Sequence, residues 1–400
     1  MKVLQINVAV NKGSTGKIVE QIGEVLINKG SKSYIAYSRT GLPSKSKTIK
    51  IGNRYDVYNH VLQSRLFDNH GFVSKNSTID LVKKIDIIGP DIIHLHNIHG
   101  YYIHIKELFN YLNKKNIPIV WTFHDCWPFT GHCSYFDRVD CEKWKTVCFS
   151  CPMKKYYPKS WFIDNSRNNF ENKKKLFTTH VNITIVTPSL WLKELVKQSY
   201  FNNFPIKVIH NGVDLNIFKP IPKIKDDYSK ISKKIVLGVA SIWDARKGLD
   251  DFIKLNELLD DEFQIVLVGL SKNQIHKLPS NIIGFERTEN INELVKLYSK
   301  AIVYLNLTYS DNFPTTNIEA LACGTPVISY DTGGSPEAIN QDTGIVIKKS
   351  DIRGVVEAIH TIERDENRFG KKLCRERALE MFNKNDRFLE YYNLYLKILK

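Results

Sequence analysis

Short apolar segments rich in β-branched residues alternate with longer segments of helical pattern along the whole chain. The strand-like segments are KVLQINV, SYIAY, DIIHLH, IPIVWTF and ITIVT in the first half, and KIVLGVA, FQIVLVG, AIVYLNL, PVISY and GIVI in the second. Continuous apolar strands separated by helix-length connections indicate parallel sheets that are covered by helices on both faces. The pattern therefore predicts an α/β protein with doubly wound parallel sheets.

The pattern is interrupted between residues 206 and 225, in the segment IKVIHNGVDLNIFKPIPKIK. Strand-like residues give way there to Asn-Gly and Pro punctuation and then to a charged linker, before a new strand begins at Lys234. We therefore expect two Rossmann-like domains, residues 1–210 and 211–375. Residues 376–400 have a helical pattern whose apolar face needs a partner, and we expect this last helix to pack back on the first domain.

The composition is that of a globular protein, with 42% hydrophobic and 25% charged residues among 400. The first apolar segment is too short for a signal sequence, and no segment reaches the roughly 20 apolar residues of a membrane-spanning helix. We expect the protein to remain in the cytoplasm.

The formal charge of +15 is concentrated in the first half of the chain, where residues 1 to 213 hold 30 Lys and Arg against 15 Asp and Glu. A basic first domain suggests an anionic partner such as a membrane surface, a lipid phosphate or nucleic acid, but a solvated basic surface without a partner is an equal alternative. No recognised nucleic-acid-binding module accompanies the charge, so we expect no nucleic-acid partner.

The segment DNFPTTNIEALACGTPVISYDTGGSPE, residues 311–337, carries the strongest signal for function. Asp311 begins a Pro-containing loop, and Glu319 lies within a helix that should begin near Thr315 or Thr316, with a hydroxyl as N-cap. The free N–H groups at that helix start can hold a diphosphate or the hydroxyls of a sugar.

Glycines bracket the strand PVISY that follows this helix. They are Gly324, Gly333 and Gly334. Glycine after a parallel strand lets a ligand approach the backbone closely. Taken separately, Glu319 could be an ordinary helix residue and the glycines ordinary turns, whereas the whole segment together favours a ligand site.

A second candidate lies in GVASIWDARKGLDDFIKL, where a strand ends in a loop with adjacent Arg246 and Lys247 before a helix. Paired cations at such a position can stabilise the negative charge that develops on a leaving diphosphate without any proton transfer. Arg246 alone could equally be a plain surface charge.

With these motifs the chain resembles glycosyltransferase family 4, the retaining enzymes of GT-B fold with two facing Rossmann-like domains. That family carries two glutamates separated by seven residues and followed by a Gly-Thr-Pro-Val strand, and Asp311 and Glu319 occupy those positions. The resemblance implies that Glu319 binds the donor ribose. It also implies that Asp311 and the backbone of Phe313, Pro314 and Thr315 face the transferred sugar and the diphosphate. Asp311 departs from the family pattern because its side chain is one methylene shorter.

The resemblance also assigns residues on other loops. Lys247 matches the family's lysine before glycine, whereas Ser241 or Ile242 stands about where the family has an arginine, and our hypothesis is that Arg246 replaces it. Gly13 and Gly16 resemble the first-strand glycine loop against the donor diphosphate, and they lack the spacing of a P-loop. A simple turn without ligand contact is the alternative for these two glycines. Gly284 completes the expected donor-side residues.

Histidines crowd the strand ends of the first domain, in HLHNIHGYY and TFHDCWPFTGHC. His124 follows a strand directly and matches the family's active-site histidine near the donor sugar. His94 and His96 alternate with Leu95, so at least one of them is expected to be a structural histidine. His124 and Asp125 are adjacent, and adjacent side chains of an extended chain point apart, so we infer no dyad from them.

Seven cysteines without an export signal argue against a disulfide framework. Four of them fall close together and end in a CxxC pattern. They are Cys133, Cys141, Cys148 and Cys151. A structural zinc site is one interpretation, and free thiols or a fortuitous cluster is the other. Beyond them, KKYYPKSWF and ENKKKLF interleave basic and aromatic residues, which suits anionic headgroups or an acceptor phosphate.

These features together predict a glycosyltransferase of hexosyltransferase type. It would move a sugar from a nucleotide-diphosphate donor, expected to be UDP-linked, to a saccharide or lipid-linked acceptor in polysaccharide synthesis. The catalytic residues would be Asp311, His124 and Lys247. The resemblance implies retention of configuration and no metal required for catalysis, and the basic first domain suggests peripheral contact with the inner face of the membrane. The alternatives are a catalytically weakened nucleotide-sugar-binding protein and an epimerase or phosphorylase of the same fold.

Overall fold

The computed structural model describes residues 1–222 and 231–400. The expected charged linker after Pro222 lies outside the described residues. The described chain divides into two compact units, the first formed by Met1–His210 with Phe388–Lys400 and the second by Asn211–Arg387.

The first unit is built on a parallel sheet of seven strands in the order β3-β2-β1-β4-β5-β6-β7. The strands are β1 Lys2–Ile6, β2 Lys32–Tyr37, β3 Lys47–Lys50, β4 Ile92–Leu95, β5 Ile119–Thr122, β6 Ile183–Thr187 and β7 Ile206–Val208. The helices are α1 Gly13–Asn28, α2 Arg54–Phe67, α3 Lys75–Ile88, α4 Ile105–Lys115, α5 Ser166–Thr179 and α6 Leu190–Gln198. Every residue of β4 and β5 is buried, which explains their unbroken apolar pattern.

The second unit repeats this plan with a parallel sheet of six strands in the order β10-β9-β8-β11-β12-β13. The strands are β8 Lys234–Val239, β9 Phe263–Val268, β10 Ile283–Phe285, β11 Val303–Asn306, β12 Val327–Tyr330 and β13 Gly344–Ile347. The helices are α7 Leu249–Asn256, α8 Lys272–Ile275, α9 Ile291–Lys300, α10 Thr315–Ala322, α11 Ile352–Arg364 and α12 Lys371–Met381. Both sheets therefore confirm the predicted doubly wound α/β class.

In both sheets the strand order reverses beside the first strand of the unit. The reversal lies between β1 and β4 in the first sheet and between β8 and β11 in the second. Open α/β sheets bind ligands outside the carboxyl ends of the strands at such a reversal. The loops that follow these four strands are therefore the places where a site is expected.

The last helix, α13, spans Lys384–Ile398. From Phe388 onward it belongs to the first unit, where its apolar residues join a core that includes Val3 and Val120. The Tyr395 hydroxyl lies 2.6 Å from His94 Nδ1, and Thr122 donates to the Tyr391 hydroxyl at 3.3 Å. The expected boundary at 376 falls inside α12, which is part of the second unit, so the segment that packs on the first sheet starts later than expected.

Candidate active site

The loops that follow β8 and β11 are hydrogen-bonded to each other at the strand-order reversal of the second sheet. The backbone N–H of Tyr309 donates to the Arg246 carbonyl at 2.8 Å, and the Thr308 hydroxyl donates to the same oxygen at 3.1 Å. Gly248 has a φ of 73°, and a Cβ there would lie 2.2 Å from the Leu307 carbonyl oxygen. The close approach requires glycine, and it fixes Arg246 and Lys247 beside the segment that leads to Asp311.

Asp311 lies between two cations. Its Oδ2 atom is 2.5 Å from Lys247 Nζ and 3.5 Å from Arg246 Nη1, and its Oδ1 accepts from the Asn312 backbone N–H at 2.9 Å. Burial alone would raise the pKa of Asp311, but the charges of Lys247 and Arg246 outweigh it and hold this pKa below its usual value. Asp244 Oδ2 also lies 4.0 Å from Arg246 Nε, so the cluster pairs two cations with two carboxylates, and Lys247 is the cation bonded to Asp311 alone among the described residues.

Arg246 has a second anchor, because its Nη1 donates to the Ser310 carbonyl at 2.7 Å. Ser241 and Ile242, which stand about where the family has an arginine, are exposed, Ile242 to 71%. The structure therefore brings Arg246, and not a residue at 241 or 242, to Asp311.

Helix α10 begins beside this cluster. Thr315 is its first residue and Pro314 is its N-cap, so the expected threonine N-cap is wrong. The reason is that Pro314 has extended backbone angles and ends the loop one residue earlier, which places both threonines inside the helix. Because a proline side chain has no acceptor for the first amides, the helix start is not capped by its own N-cap residue.

Phe313 and Pro314 are buried parts of this loop. The Phe313 ring is 5.9 Å from the Phe382 ring, and its carbonyl accepts from Asn211 Nδ2 at 3.0 Å. The Phe313 ring and the Phe313 carbonyl therefore both make contacts within the second unit, while Thr315 remains partly exposed.

Glu319 lies in α10 and is partly exposed, and its Oε2 accepts from the Tyr298 hydroxyl at 3.2 Å. Sequence reasoning missed Tyr298, which looks like an ordinary apolar position of α9.

Sequence reasoning also missed a buried chain of side-chain amides in which Asn306 donates to Asn317 at 2.8 Å and Asn317 donates to the Ser335 carbonyl at 2.9 Å. These bonds fix α10 against the end of β11.

The glycines after β12 hold the Asp311 loop in place. Gly333 has a φ of 58°, and a Cβ there would lie 1.8 Å from the Asp311 carbonyl oxygen, which accepts from the Gly334 N–H at 3.2 Å. The close approach expected for a ligand at Gly333 is made by the chain itself. Gly284 lies in β10, where a Cβ would meet Leu278 at 2.7 Å, so packing accounts for its small size.

In the first unit, His124 belongs to a chain of polar side chains across the strand ends. Its Nε2 lies 3.1 Å from His96 Nδ1, and His96 Nε2 lies 3.2 Å from Gln5 Oε1. Burial lowers the pKa of His124 to about 4. His94 is bonded on both ring nitrogens, to Tyr395 and to Thr122, which confirms that one of the paired histidines is structural.

Asp125 pairs with His99, an interaction that sequence reasoning did not find. Its Oδ2 lies 2.9 Å from His99 Nε2, while its Oδ1 accepts from the Trp127 N–H at 2.9 Å. His99 Nδ1 lies 3.0 Å from the Tyr157 hydroxyl, and Tyr157 is 44% exposed. The only signal in the sequence was the position of His99 and Asp125 after neighbouring strands β4 and β5, whose carboxyl ends share one edge.

Gly13 and Gly16 lie at the start of α1, after β1. Gly13 has a φ of 69° and no described atom within 4 Å of a Cβ built on it, so backbone conformation alone favours glycine. Gly16 accepts from the Asn11 N–H at 3.0 Å, which closes the turn between strand and helix.

The four clustered cysteines lie in the connection between β5 and α5, around one small cavity. Among the described residues, one group of three side chains has potential metal-ligand atoms within 4.8 Å of one another. It consists of Asp260, Glu262 and His360 and includes none of these cysteines. None of the helices within residues 1–222 and 231–400 is both long and apolar enough to cross a membrane.

Two protein-family models match the chain, and each covers most of one compact unit. Residues 16–217 match the model described as Glycosyltransferase Family 4, and residues 220–378 match the model described as Glycosyl transferases group 1. The chain belongs to glycosyltransferase family 4. This family 4 glycosyltransferase is 23% identical over 416 residues to WcaC of Escherichia coli K12, which is named as a colanic acid biosynthesis glycosyl transferase, with 99% of each chain covered. It is 24% identical over 275 residues to the O-antigen chain mannosyltransferase RfbU of Salmonella typhimurium, covering 66% of this chain and 70% of that one.

Solved structures share the fold of the family 4 glycosyltransferase. Sucrose-phosphate synthase from Thermosynechococcus elongatus superimposes with a TM-score of 0.72 at 19% identity, covering 99% of this chain and 98% of that one. Anabaena HepE in complex with UDP gives a TM-score of 0.70 at 14% identity, covering 99% and 100%. The fold is therefore GT-B, with one doubly wound parallel sheet in each unit.

We expect the first unit to lose stability as the pH falls from about 6.5 towards 4. Burial lowers the pKa of His124 to about 4 and that of His60 to about 3, and it lowers the pKa values of His70, His94 and His96 as well. In the unfolded chain each imidazole has a pKa near 6.5. The unfolded state therefore binds more protons in this window, and the free energy of unfolding falls with the pH.

The second unit is an internal control for this pH effect. Its two histidines, His276 and His360, are not buried. Calorimetry between about pH 7.5 and about pH 5 should show the transition of the first unit moving to lower temperature by more than that of the second. A first-unit transition that stays constant or rises over this range would contradict the burial of neutral histidines.

Proposed function

We propose that this family 4 glycosyltransferase transfers a hexose from a UDP-sugar to a saccharide or lipid-linked saccharide, with retention of anomeric configuration, during synthesis of a bacterial surface polysaccharide. The observation that carries the proposal is the Lys247, Asp311 and Arg246 cluster at the strand-order reversal of the second unit. The similarity to WcaC and RfbU, which are named for colanic acid and O-antigen synthesis, supports the pathway, and the complexes of HepE with UDP and UDP-glucose support the donor.

On the donor side, Glu319 would accept hydrogen bonds from the ribose hydroxyls, since its carboxylate is partly exposed and positioned by Tyr298. The diphosphate would lie against Lys247 and the first amides of α10. Both contacts become stronger as negative charge develops on the leaving diphosphate, so they stabilise the transition state more than the ground state.

Asp311 is proposed to position Lys247 and to face the transferred sugar. The carboxylate is ionised and held by Lys247 and Arg246, so it is not free to act as a covalent nucleophile. Retention would then arise when a departing phosphate oxygen assists the incoming hydroxyl on the same face of the sugar. Lys247 and Arg246 supply the positive charge for this departure, and His124, neutral at physiological pH, would bond a sugar hydroxyl.

Replacing Asp311 by Glu should lower the transfer rate by about tenfold. The site is built around the shorter side chain, because Lys247 already lies 2.5 Å from Asp311 and the Gly333 turn packs on its backbone. An extra methylene must move the cation, whose placement sets the stabilisation of the leaving group. The release of UDP with a competent acceptor is the measurement, and a faster enzyme would show that the aspartate is an impairment.

Titration calorimetry with UDP and GDP tests the donor assignment. We expect UDP to bind and Glu319→Ala to weaken it by about tenfold or more, as loss of hydrogen bonds to a charged group predicts. Glu357→Ala, on the exposed side of α11, is the control and should bind like the unaltered enzyme. Absence of UDP binding would overturn the proposal.

The fate of the donor separates transfer from three rival activities of the same fold. Binding without transfer or hydrolysis for any donor would favour a nucleotide-sugar-binding protein. Consumption of the donor by inorganic phosphate would favour a phosphorylase, and epimerisation of its sugar would favour an epimerase.

We also propose that the first unit contacts the anionic inner face of the membrane. Trp161 and Phe162 are 45% and 71% exposed, and the Arg65 guanidinium lies 5.3 Å from the centre of the Trp161 ring. Lys155 and Lys159 are exposed in the same segment. Aromatic rings with neighbouring cations suit the headgroup region of an anionic bilayer.

Sedimentation with phosphatidylglycerol vesicles tests this contact. We expect Trp161→Ser combined with Phe162→Ser to lower the bound fraction by about tenfold, since each ring contributes apolar area at the interface. Ile87→Ser is the matched control, because Ile87 is an exposed apolar residue of α3 in the same unit. Equal loss for the control, or no binding by the unaltered protein, would reject the membrane contact.

A further inference from the structure

The connection between β5 and α5, residues 123–165, is long and has little regular structure. It contains two short 3-10 turns, Trp127–Phe129 and Lys143–Lys145. Much of it is nevertheless buried, and residues 125–134 are buried without interruption. A connection of this length without helices or strands of its own is uncommon in a compact domain, and its order needs a source other than backbone ladders.

Four thiols surround one small cavity in this connection. Cys133, Cys141, Cys148 and Cys151 line a space of about 20 Å³, and all four are free thiols. The Gly131 N–H donates to Cys148 Sγ at 3.2 Å, and the thiols of Cys133 and Cys151 are hydrogen-bonded to each other. The cavity is large enough for one small ion or atom.

Two polar side chains on the same cavity wall carry buried nitrogen atoms without a hydrogen-bond partner among the described residues. They are His132 Nε2 and Trp144 Nε1, and each residue is 2% exposed. Thiolates of a metal centre commonly accept such N–H groups. His132 Nδ1 lies 2.5 Å from Asp68 Oδ1, so the Trp144 N–H is the donor of the two that needs an acceptor here, and a thiolate would supply one where an apolar thiol pocket does not.

A buried cation lies next to the thiols. Lys173 of α5 is 1% exposed, and its ammonium donates to the carbonyls of Trp127 and Thr130 at 2.8 Å and lies 3.6 Å from the centre of the Trp127 ring. Within residues 1–222 and 231–400 it has no carboxylate at ion-pair distance. A buried charge without a counter-ion is costly, and nearby thiolates would compensate it.

We propose that Cys133, Cys141, Cys148 and Cys151 bind one structural zinc ion that holds this connection in place. Binding converts four thiols to thiolates and releases four protons to solvent, so the zinc tetrathiolate carries two negative charges, and Lys173 compensates one of them. No three of the four sulfur atoms lie within 4.8 Å of one another as free thiols, so thiols of this cluster must move inward on binding. With four protein ligands the ion has no open position, so its role is structural and independent of the donor site.

Metal analysis of the protein purified under reducing conditions tests the site. We expect about one zinc per chain and release of that zinc when the thiols are modified by a mercurial. Cys148→Ser should lower the zinc content by about tenfold and destabilise the first unit. Cys126→Ala is the control, because Cys126 is a buried cysteine of the same connection that does not line the cavity, and it should keep its zinc.

If a cysteine variant fails to fold, measurements on the unaltered protein still test the zinc site. Protein that is folded and free of zinc, with four thiols that react without metal release, would overturn it. Bound iron with visible absorbance, or two disulfides detected by mass, would also overturn it. UDP binding is measured on the same sample, and its retention or loss reports on the donor site and not on the zinc.

Discussion

Replacing Lys247 by Met should lower the rate of sugar transfer by about 10²-fold to 10³-fold, the effect of removing one preorganised charge from a transition state. Lys247 Nζ lies 2.5 Å from Asp311, is largely shielded from solvent, and is fixed by the bonds between the loops after β8 and β11. Methionine keeps the apolar part of the side chain and removes the charge. Steady-state kinetics with saturating donor should show the loss mainly in kcat, because the charge acts on the leaving diphosphate.

Lys277→Met is the matched control for this substitution. Lys277 is an exposed lysine of the same unit, just after α8, and its replacement should change the rate by less than about twofold. A Lys247→Met enzyme with near-normal kcat would show that the cation beside Asp311 does not assist departure of the diphosphate. If Lys247→Met also lowers the melting temperature, kcat must be calculated from the concentration of folded enzyme.

Replacing Gly333 by Ala should destabilise the second unit by about 3 kcal/mol or more and abolish transfer. The φ of 58° disfavours any side chain, and the added Cβ would lie 1.8 Å from the Asp311 carbonyl oxygen. Since that contact is with backbone, it can be relieved only by moving the Asp311 loop away from Lys247. Thermal unfolding and the rate of transfer should therefore fall together.

Gly30→Ala separates backbone strain from the steric clash. Gly30 has a φ of 74°, but nothing described lies within 4 Å of a Cβ placed there. Its substitution should cost only about 1 kcal/mol and leave transfer unchanged. If Gly333→Ala were no more damaging than Gly30→Ala, the close packing of the glycine turn on Asp311 would not matter for the site.

The sequence predicts the two sheets well because buried parallel strands carry a strong apolar signal. All ten predicted strand segments form strands, including the one that begins at Lys234. The other three strands lie at sheet edges: β7 was indicated only by strand-like residues before the domain break, and β3 and β10 were not predicted, since KTIK is largely exposed and IGF is short. An edge strand has one neighbour and is less buried, so its residues carry little apolar pattern.

The sequence predicted the residues of the candidate site singly, each from its own motif, and did not predict which of them lie in contact. Lys247 and Asp311 were each named, but their contact depends on the strand order of the folded sheet. Pairs that are remote along the chain, such as Glu319 with Tyr298 and Asp125 with His99, have no local sequence pattern. The N-cap at Pro314 was missed because local propensity favours threonine at that position, whereas the loop conformation determines where the helix begins.

The configuration of the new glycosidic bond tests the central claim most directly. With an α-linked UDP-sugar and a competent acceptor, proton NMR of the first product should show an α-linkage, because a held phosphate oxygen and the lack of a free carboxylate nucleophile at Asp311 favour attack on the face that the diphosphate leaves. A β-linked first product would contradict the account, since it would require attack from the opposite face by an acceptor activated elsewhere.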